Sequence, residues 1–418
     1  MKVVTFGCIV LIGVSIAQDV STLPTISSGS TVPFTSTVST TTPGIEGTND
    51  AACLPTCRWK HDTLKTSTMK NFPTLCDTVC TDSSLNIGSD CDMSESQLNE
   101  TLRNMKHLVG GLSITDTKFK SARFLANLET VDCGVFVSGV FAKQLWLISI
   151  MGNANMEEIG MVNLKSVFCK VSIYMNENLT RLNMPNLVPT NLPYATNQTL
   201  QMMIVEHSVE FCISVQEVSS LITNDYVELW NIIGKFCPIS ASTGLSEKRT
   251  CDLQNQLWSN TSLGCVNVLG DVVIDDENEQ YARQLESVEN IFGSLIINGT
   301  SLKNIDFLGK LRAIVSLTDN QPGLIVARNS LLTNVSTPSL KRINARSFTT
   351  VKFDDNGMEM IKNPGFCYYM RNITKYMHQN IVQFDGKYCE EVEKDATKSS
   401  KMVYPGWILI GFLVILKF

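Results

Sequence analysis

The chain repeats itself, and this limits its possible folds more than any composition does. Moved along itself by 183 residues, "GGLSITDTKFKSARFLANLETV" (Gly110 to Val131) meets "GSLIINGTSLKNIDFLGKLRAI" (Gly293 to Ile314) with no gap. Gly110, Leu112, Ile114, Thr117, Lys120, Phe124, Leu125 and Leu128 fall on Gly293, Leu295, Ile297, Thr300, Lys303, Phe307, Leu308 and Leu311. Upstream, Leu102, Met105 and Leu108 meet Leu285, Val288 and Ile291. The sequence therefore holds two copies of one module. Within the unit, Leu112 and Ile114 alternate like a strand, while Phe124, Leu128 and Val131 recur at helical spacing.

A shorter period runs inside each copy. "LISIMGNANMEEIGMVNL" (Leu147 to Leu164) and "KVSIYMNENLTRLNMPNL" (Lys170 to Leu187) superpose at an offset of 23. Ile148, Ile150, Asn153, Asn155, Met156, Ile159 and Leu164 meet Val171, Ile173, Asn176, Asn178, Leu179, Leu182 and Leu187. Ile274 and Ile297 share that offset, Asn329, Leu332, Val335, Pro338 and Leu340 repeat the grammar, and "TVKFDDNGMEMI" from Thr350 reads as a degenerate last turn. A strand heading a unit of 20 to 29 residues, followed by Asn and spaced Leu, is solenoid-like. One such turn has too little apolar surface to fold alone, and stacked turns line it up as a continuous core. The recurring Asn is placed to bend the chain and to hydrogen-bond the backbone of its own or the next turn.

The ends read as sorting signals. Residues 1–17, with one Lys, an apolar run and Ser15-Ile16-Ala17, are expected to be a secretory signal peptide that takes Cys8 with it. Residues 18–50 form a Ser/Thr-rich stalk, with 14 Ser or Thr among the 22 residues from Ser21 to Thr42, too polar to bury a core. Residues 393–401 read as a spacer and 402–418 as an apolar tail. Its 15-residue run, broken by Pro405, is short for a bilayer span. A GPI-attachment signal cut near Asp395, Ala396, Thr397 or Ser399 is expected, with a membrane-spanning anchor as the alternative. Thirteen further cysteines fit an oxidising compartment. So do seven N-glycosylation sequons, at Asn99, Asn178, Asn197, Asn260, Asn298, Asn334 and Asn372. A net charge of −6 without a Lys/Arg run or aromatic-basic patch disfavours nucleic acid as a partner.

The pattern G-x-L-x-I-x-x-T…F-L-x-x-L, with the Asn-Leu-Pro-Leu turn, resembles the receptor L domain, the ligand-binding module of insulin and epidermal growth factor receptors. The resemblance is nearest to the nematode insulin/EGF-receptor-like L-domain proteins, which carry paired L domains without a kinase, and it covers about Cys76 to Cys389. It implies an α/β solenoid: two right-handed parallel β-helices, leucine-rich-repeat-like, in tandem and closed by disulfide caps. The expected layout is a Cys-rich N-terminal cap at 51–90, L domain 1 at 76–240, a linker at 241–250 and L domain 2 at 251–392. The resemblance further implies Cys212–Cys237 and Cys367–Cys389 as C-terminal caps, with apolar helical spacing through Leu221, Val227, Trp230 and Ile233 in the first. Cys251–Cys265 would cap the second module's N-terminus, and Cys133–Cys169 would bridge adjacent turns. For Cys53, Cys57, Cys76, Cys80 and Cys91 the connectivity stays open. "CLPTC…CDTVC" fits a stapled helical hairpin, the N-terminal cap or, without a C-x-x-C knuckle, a zinc site, and the odd count leaves one thiol over.

Residues for chemistry do not assemble in the sequence. Asp275-Asp276-Glu277 and Asp354-Asp355 follow strands directly, where turns are expected. His61, His107, His207 and His378 lack the spacing of a metal site, and His107 reads as an exposed helix residue. Gly110-Gly111 reads as a strand entrance. No enzyme and no cofactor are expected. The expected role is a secreted or surface-held protein that binds a peptide growth factor or a receptor ectodomain, carrying N-glycans and a membrane anchor. The alternative is a structural or adhesive coat glycoprotein. A binding face should be free of sequons and carry outward apolar side chains, for which Tyr174, Trp146 and Phe353 are the candidates.

Overall fold

The computed structural model describes residues 53–133, 147–189, 200–223, 227–229, 231–239, 250–253, 264–357, 362–374 and 381–401. The expected signal peptide and stalk, the tail at 402–418, Trp146, Asn197, Trp230, Asn260 and His378 lie outside them, as do residues 241–249 of the linker.

Stacked parallel strands build both modules. In module 1, one row runs through Arg58–Trp59, Thr78–Ile87, His107–Thr115, Thr130–Asp132, Ser166–Val167 and Val188–Pro189. A second row reuses the later parts of Thr78–Ile87 and His107–Thr115. It continues through Leu147–Met151, Lys170–Asn176, Leu200–His207 and Val227–Glu228. A third row is reduced to bridges joining Ser121, Glu158 and Arg181. Module 2 separates the rows into distinct sheets, one of Thr250–Asp252, Asn267–Leu269, Asn290–Phe292, Ala313–Asp319 and Arg342–Arg346. Its second row is Val272–Ile274, Leu295–Asn298, Leu324–Ala327, Thr349–Asp354 and Ile381–Phe384, and its third is Asn304–Ile305 with Asn334–Val335.

The registers follow the sequence period. Ile148 pairs with Val171 and Ile150 with Ile173, and in module 2 Ile274 pairs with Ile297. Because side chains alternate across a strand, the second row of module 1 buries every second residue. Leu85, Leu112, Ile148, Val171 and Met202 form one inward ladder, and Ile87, Ile114, Ile150, Ile173 and Ile204 form the next.

At the ends of three second-row strands in each module the backbone turns left-handed for one residue, and the following side chain points inward. Asp116, Gly152 and Met175 have φ of 54°, 68° and 57° and precede Thr117, Asn153 and Asn176. In module 2, Gly299, Arg328 and Asp355 precede Thr300, Asn329 and Asn356 in the same way. The inward amides then form a ladder. Asn153 Oδ1 accepts from the Thr117 amide (2.9 Å) and hydroxyl (2.6 Å), and its Nδ2 donates to the Ile114 carbonyl and to Asn176 Oδ1. Asn329 does the same between Thr300, Ile297 and Asn356. Asn356 extends the ladder into the stretch after Thr350, and the strand there, Thr349–Asp354, pairs with a further strand, Ile381–Phe384. These asparagines and Thr117 and Thr300 are buried, so each rung's orphan backbone groups are satisfied from within.

Several local expectations change. Gly110 and Gly111 are not at a strand entrance; they lie inside His107–Thr115, where it bends from the first row into the second. A Cβ on Gly110 would lie 1.9 Å from Thr81 Oγ1, and Gly110 takes φ 128°, so only glycine fits this corner. The helical spacing of Phe124, Leu128 and Val131 belongs to a 3-10 turn (Arg123–Leu125) and then a first-row strand. His107 is not on a helix either; it opens a strand, and its Nδ1 lies 2.8 Å from Thr130 Oγ1 on the next rung. Val227 likewise pairs as a strand with Leu200, beyond the helix Val215–Ile222.

Six disulfides occur among the described residues. Cys212 bonds Cys237, Cys367 bonds Cys389 and Cys251 bonds Cys265, each at a module end. Cys133 bonds Cys169 just past two paired first-row strands. Cys53–Cys80 and Cys57–Cys76 tie the N-terminal cap, in which a 3-10 turn and a strand replace the helix that the i, i+4 spacing suggested. With those four sulfurs oxidised in pairs, the zinc alternative has no thiolates to use. Among the described residues Cys91 is the remaining thiol, and burial pushes its pKa up. The spacer read at 393–401 continues the helix Cys389–Lys401, in which Asp395 pairs with Lys387 at 2.9 Å. No helix among the described residues is long and apolar enough to cross a membrane.

The two modules touch directly. Leu269, Phe292 and Val315 are paired in register on the outer side of module 2's first row and are buried in the same apolar cluster as Phe236 of module 1's terminal cap. Phe236 and Phe292 meet edge-on at 5.6 Å. Arg342 Nη1 donates to the Ile222 carbonyl at 3.5 Å, at the end of helix Val215–Ile222. The short linker thus joins modules that share an apolar seam.

Candidate ligand-binding face

The outer surface of module 1's second row is built by the residues between the inward ladders. Asn86, Ser113, Ser149, Ser172 and Met203 lie in register across five strands and are half-buried. Beside them runs a second stripe, Thr115, Met151, Tyr174 and Val205, all half-buried. With strands about 4.8 Å apart, this stripe is roughly 15 Å long. No sequon asparagine lies in either stripe. Serines too short to shield the backbone flank larger apolar groups, a surface that offers hydrogen bonds and contact area together.

Alongside the stripe, just past its residues on each strand, the left-handed turns open a hollow of about 660 Å³ lined by Asp116, Gly152, Met175, Glu177, His207 and Val209. Gly152 permits this opening, since a Cβ there would sit 2.3 Å from Asp116 Oδ1. Met175 takes the same left-handed conformation without glycine's freedom and projects its side chain into solvent, 49% exposed. A bulky residue held at positive φ carries strain of about 1–2 kcal/mol. Val209 is 90% exposed. His207 is fixed by its Nδ1 against the Ser208 carbonyl (2.9 Å) and by Phe211, whose ring centroid is 4.1 Å away. The neighbouring bridge row is charged. Lys120 pairs with Glu157 at 3.0 Å and Arg123 with Glu158. Burial pushes the Glu158 carboxyl up, but hydrogen bonds from Arg123 and Asn183 outweigh it and hold the group below its ordinary range.

The three aromatic candidates separate. Tyr174 is on the outer stripe between Met151 and Val205. Trp146 is outside the described residues. Phe353 is corrected: it is fully buried, stacked on Phe384 at 4.7 Å and edge-on to Phe366 at 5.4 Å. Strand parity is the reason, because Phe353 pairs with inward Val326 and Phe384, two residues from buried Val351. Sequence reasoning misses Met151, Met175, Val205 and Val209, although the 23-residue offset already sets Met151 opposite Tyr174.

The corresponding outer surface of module 2 is different. Val273, Ile296 and Ile325 stand in register where module 1 has serines, followed by Lys352 and Gln383. Its second stripe is Asn298, Ala327 and Asp354, so a sequon opens it. Of the other described sequon asparagines, Asn99 is exposed on helix Glu95–Leu102 and Asn178 donates to the Ala154 carbonyl at 2.7 Å beside the hollow. Asn334 is on the third row and Asn372 on helix Pro364–Ile373. Asp275 accepts from the Glu277 amide in a turn, and no cluster of three metal-ligating side chains occurs among the described residues.

Comparison with known proteins agrees with this geometry. The receptor L domain family model matches residues 76–180 and 264–379, one stretch in each module and together more than half of the chain. A search of curated proteins finds no match. Two matches, each laid over stacked parallel strands, establish that the chain belongs to the receptor L domain family.

Proposed function

We propose that this protein is a non-enzymatic extracellular binding protein that holds a peptide growth factor, insulin-like or EGF-like, or a receptor ectodomain, on module 1. It would act as a decoy or co-receptor. The observation that carries this reading is the sequon-free outer stripe of Thr115, Met151, Tyr174 and Val205, flanked by exposed Met175. Six disulfides and the family support a secretory, extracellular setting. In this reading the rows of each module wind as a right-handed β-helix, with L domain 1 at 76–240 and L domain 2 at 251–392. N-glycans decorate the flanks, and a GPI anchor near Asp395–Ser399 holds the chain at the cell surface.

The test is a surface-binding assay of the glycosylated protein against insulin-like peptides, EGF-like peptides and their receptor ectodomains. Saturable binding to one class, weakened by Tyr174→Ala, is the expected result. Binding to none of them assigns the protein to the structural or adhesive coat reading. Release from expressing cells by a GPI-cleaving phospholipase is expected; retention on the membrane argues for a spanning anchor.

A further inference from the structure

The two outer faces pose a question that capture on module 1 leaves open. Module 2 presents the more apolar face: Val273 is 39% exposed, and Ile296 and Ile325 stand beside it, one on each successive strand. Adjacent apolar side chains on an open sheet face form the kind of contiguous surface that marks a contact site. What stands closest to it in the sequence is the sequon Asn298-Gly299-Thr300. Asn298 is two residues beyond Ile296 on the same strand, hence on the same face and about 6.6 Å along it.

The geometry of Asn298 suits a carbohydrate-bearing amide. Arg328 Nε donates to Asn298 Oδ1 at 2.9 Å. An arginine has only hydrogens to offer, so the oxygen must be the atom facing it, which fixes the amide's orientation. Nδ2, the atom that carries an N-linked glycan, makes no hydrogen bond among the described residues. The other half of the sequon is committed to the fold: the Thr300 hydroxyl is buried and donates to Asn329 Oδ1 at 2.7 Å, at the head of the amide ladder. Thr117 holds the matching place in module 1, with Thr115 where Asn298 stands. Both modules place a threonine there, so an asparagine two residues before it creates a sequon on the outer face. Module 2 has that asparagine and module 1 does not.

We propose that the N-linked glycan on Asn298 lies over the Val273–Ile296–Ile325 strip and closes the module 2 face to proteins, so that only the module 1 face remains open. The closing of module 2 stands on its own observations; that module 1 then receives the ligand rests on the function proposed above. Asn334 lies on the third row, not on the second row that carries this strip.

Surface footprinting with a small carbene reagent tests the shield without any ligand. Glycopeptide mass spectrometry first measures occupancy of Asn298 on the full glycosylated protein, where near-complete occupancy is expected. Labelling of Ile296 and Ile325 is then compared among wild type, Asn298→Gln and Asn334→Gln. At least a threefold rise in Asn298→Gln, with Tyr174 labelling unchanged and no rise in Asn334→Gln, is the expected outcome. Because Asn298→Gln also alters the Arg328 contact, enzymatic removal of N-glycans from folded wild type is the second arm and should give the same rise. An unoccupied Asn298, or unchanged labelling after the glycan is removed, overturns the proposal. Failure of the growth-factor binding assay with a normal footprint leaves the shield standing and removes only the proposed function.

Discussion

Modules 1 and 2 share an interior and differ on the outside. Both run Thr, then two buried Asn, down the same position of consecutive rungs, and both set a left-handed residue directly before each. On the outer face of the second row, module 1 shows serines beside Met151, Tyr174 and Val205, whereas module 2 shows Val273, Ile296 and Ile325 beside Asn298. The difference teaches which positions the fold dictates and which it leaves to function. Inward positions are held by packing and by amides that would otherwise be unsatisfied. Outward positions carry no such demand, so their divergence reflects what each face meets.

The shared interior is the easiest part to break. Asn153→Ala removes the acceptor for Thr117 and the donor to Ile114, leaving buried backbone groups unpaired, and is expected to cost about 4 kcal/mol. Asn329→Ala should cost a similar amount in module 2, and denaturant titration of the two variants checks the equivalence. A large loss from one and little from the other would show that only one module depends on its ladder.

The seam is next. Phe292→Ala empties a buried contact with Phe236 and should cost about 3 kcal/mol. If the modules are one cooperative body, hydrogen exchange will rise on both sides of the seam; a rise confined to module 2 would separate them. Replacing Cys212 and Cys237 by serine opens a loop of 25 residues at module 1's end, with an expected loss near 3 kcal/mol seen as a lower unfolding midpoint.

Effects on the outer faces are smaller. Met175→Gly relieves left-handed strain but adds entropy to the unfolded chain, so its stability should stay within about 1 kcal/mol of wild type by thermal denaturation. A larger loss would mean that the Met175 side chain packs structurally instead of facing a ligand.

Acid has the mildest effect. Hydrogen bonds from Arg123 and Asn183 outweigh burial and hold Glu158 below its ordinary 4.5, and the Arg371 hydrogen bond lowers Glu390 in the same way. Carboxyls with depressed folded pKa values contribute stability above the ordinary glutamate range and lose it as pH falls through the folded value. Unfolding midpoints should therefore be flat near neutrality and decline below about pH 4.5. The amide ladders do not titrate, so the decline should be shallow in both modules.

Much of this architecture is legible in the sequence because stacking demands in-register repetition. Ile148 over Val171 and Asn153 over Asn176 are visible as a constant offset along the chain. The corner at Gly110 is not, since a bend inside one strand leaves the alternation of Leu108, Leu112 and Ile114 intact to the eye. The seam is hidden as well: Leu269, Phe292 and Val315 are apolar neighbours of inward residues, and nothing local shows that a second module covers them. Phe353 looks outward only until its parity is counted from Val351. Met175 escapes notice because its backbone conformation, not its residue type, throws it outward.

The most direct test of this division of labour compares two substitutions in one assay. Affinity for whichever peptide or receptor ectodomain binds is measured for wild type, Tyr174→Ala and Ile296→Ala, with the Asn298 glycan intact. The expected result is at least a tenfold loss from Tyr174→Ala, about 1.4 kcal/mol, and none from Ile296→Ala. Equal losses from both, or a loss from Ile296→Ala alone, would contradict it.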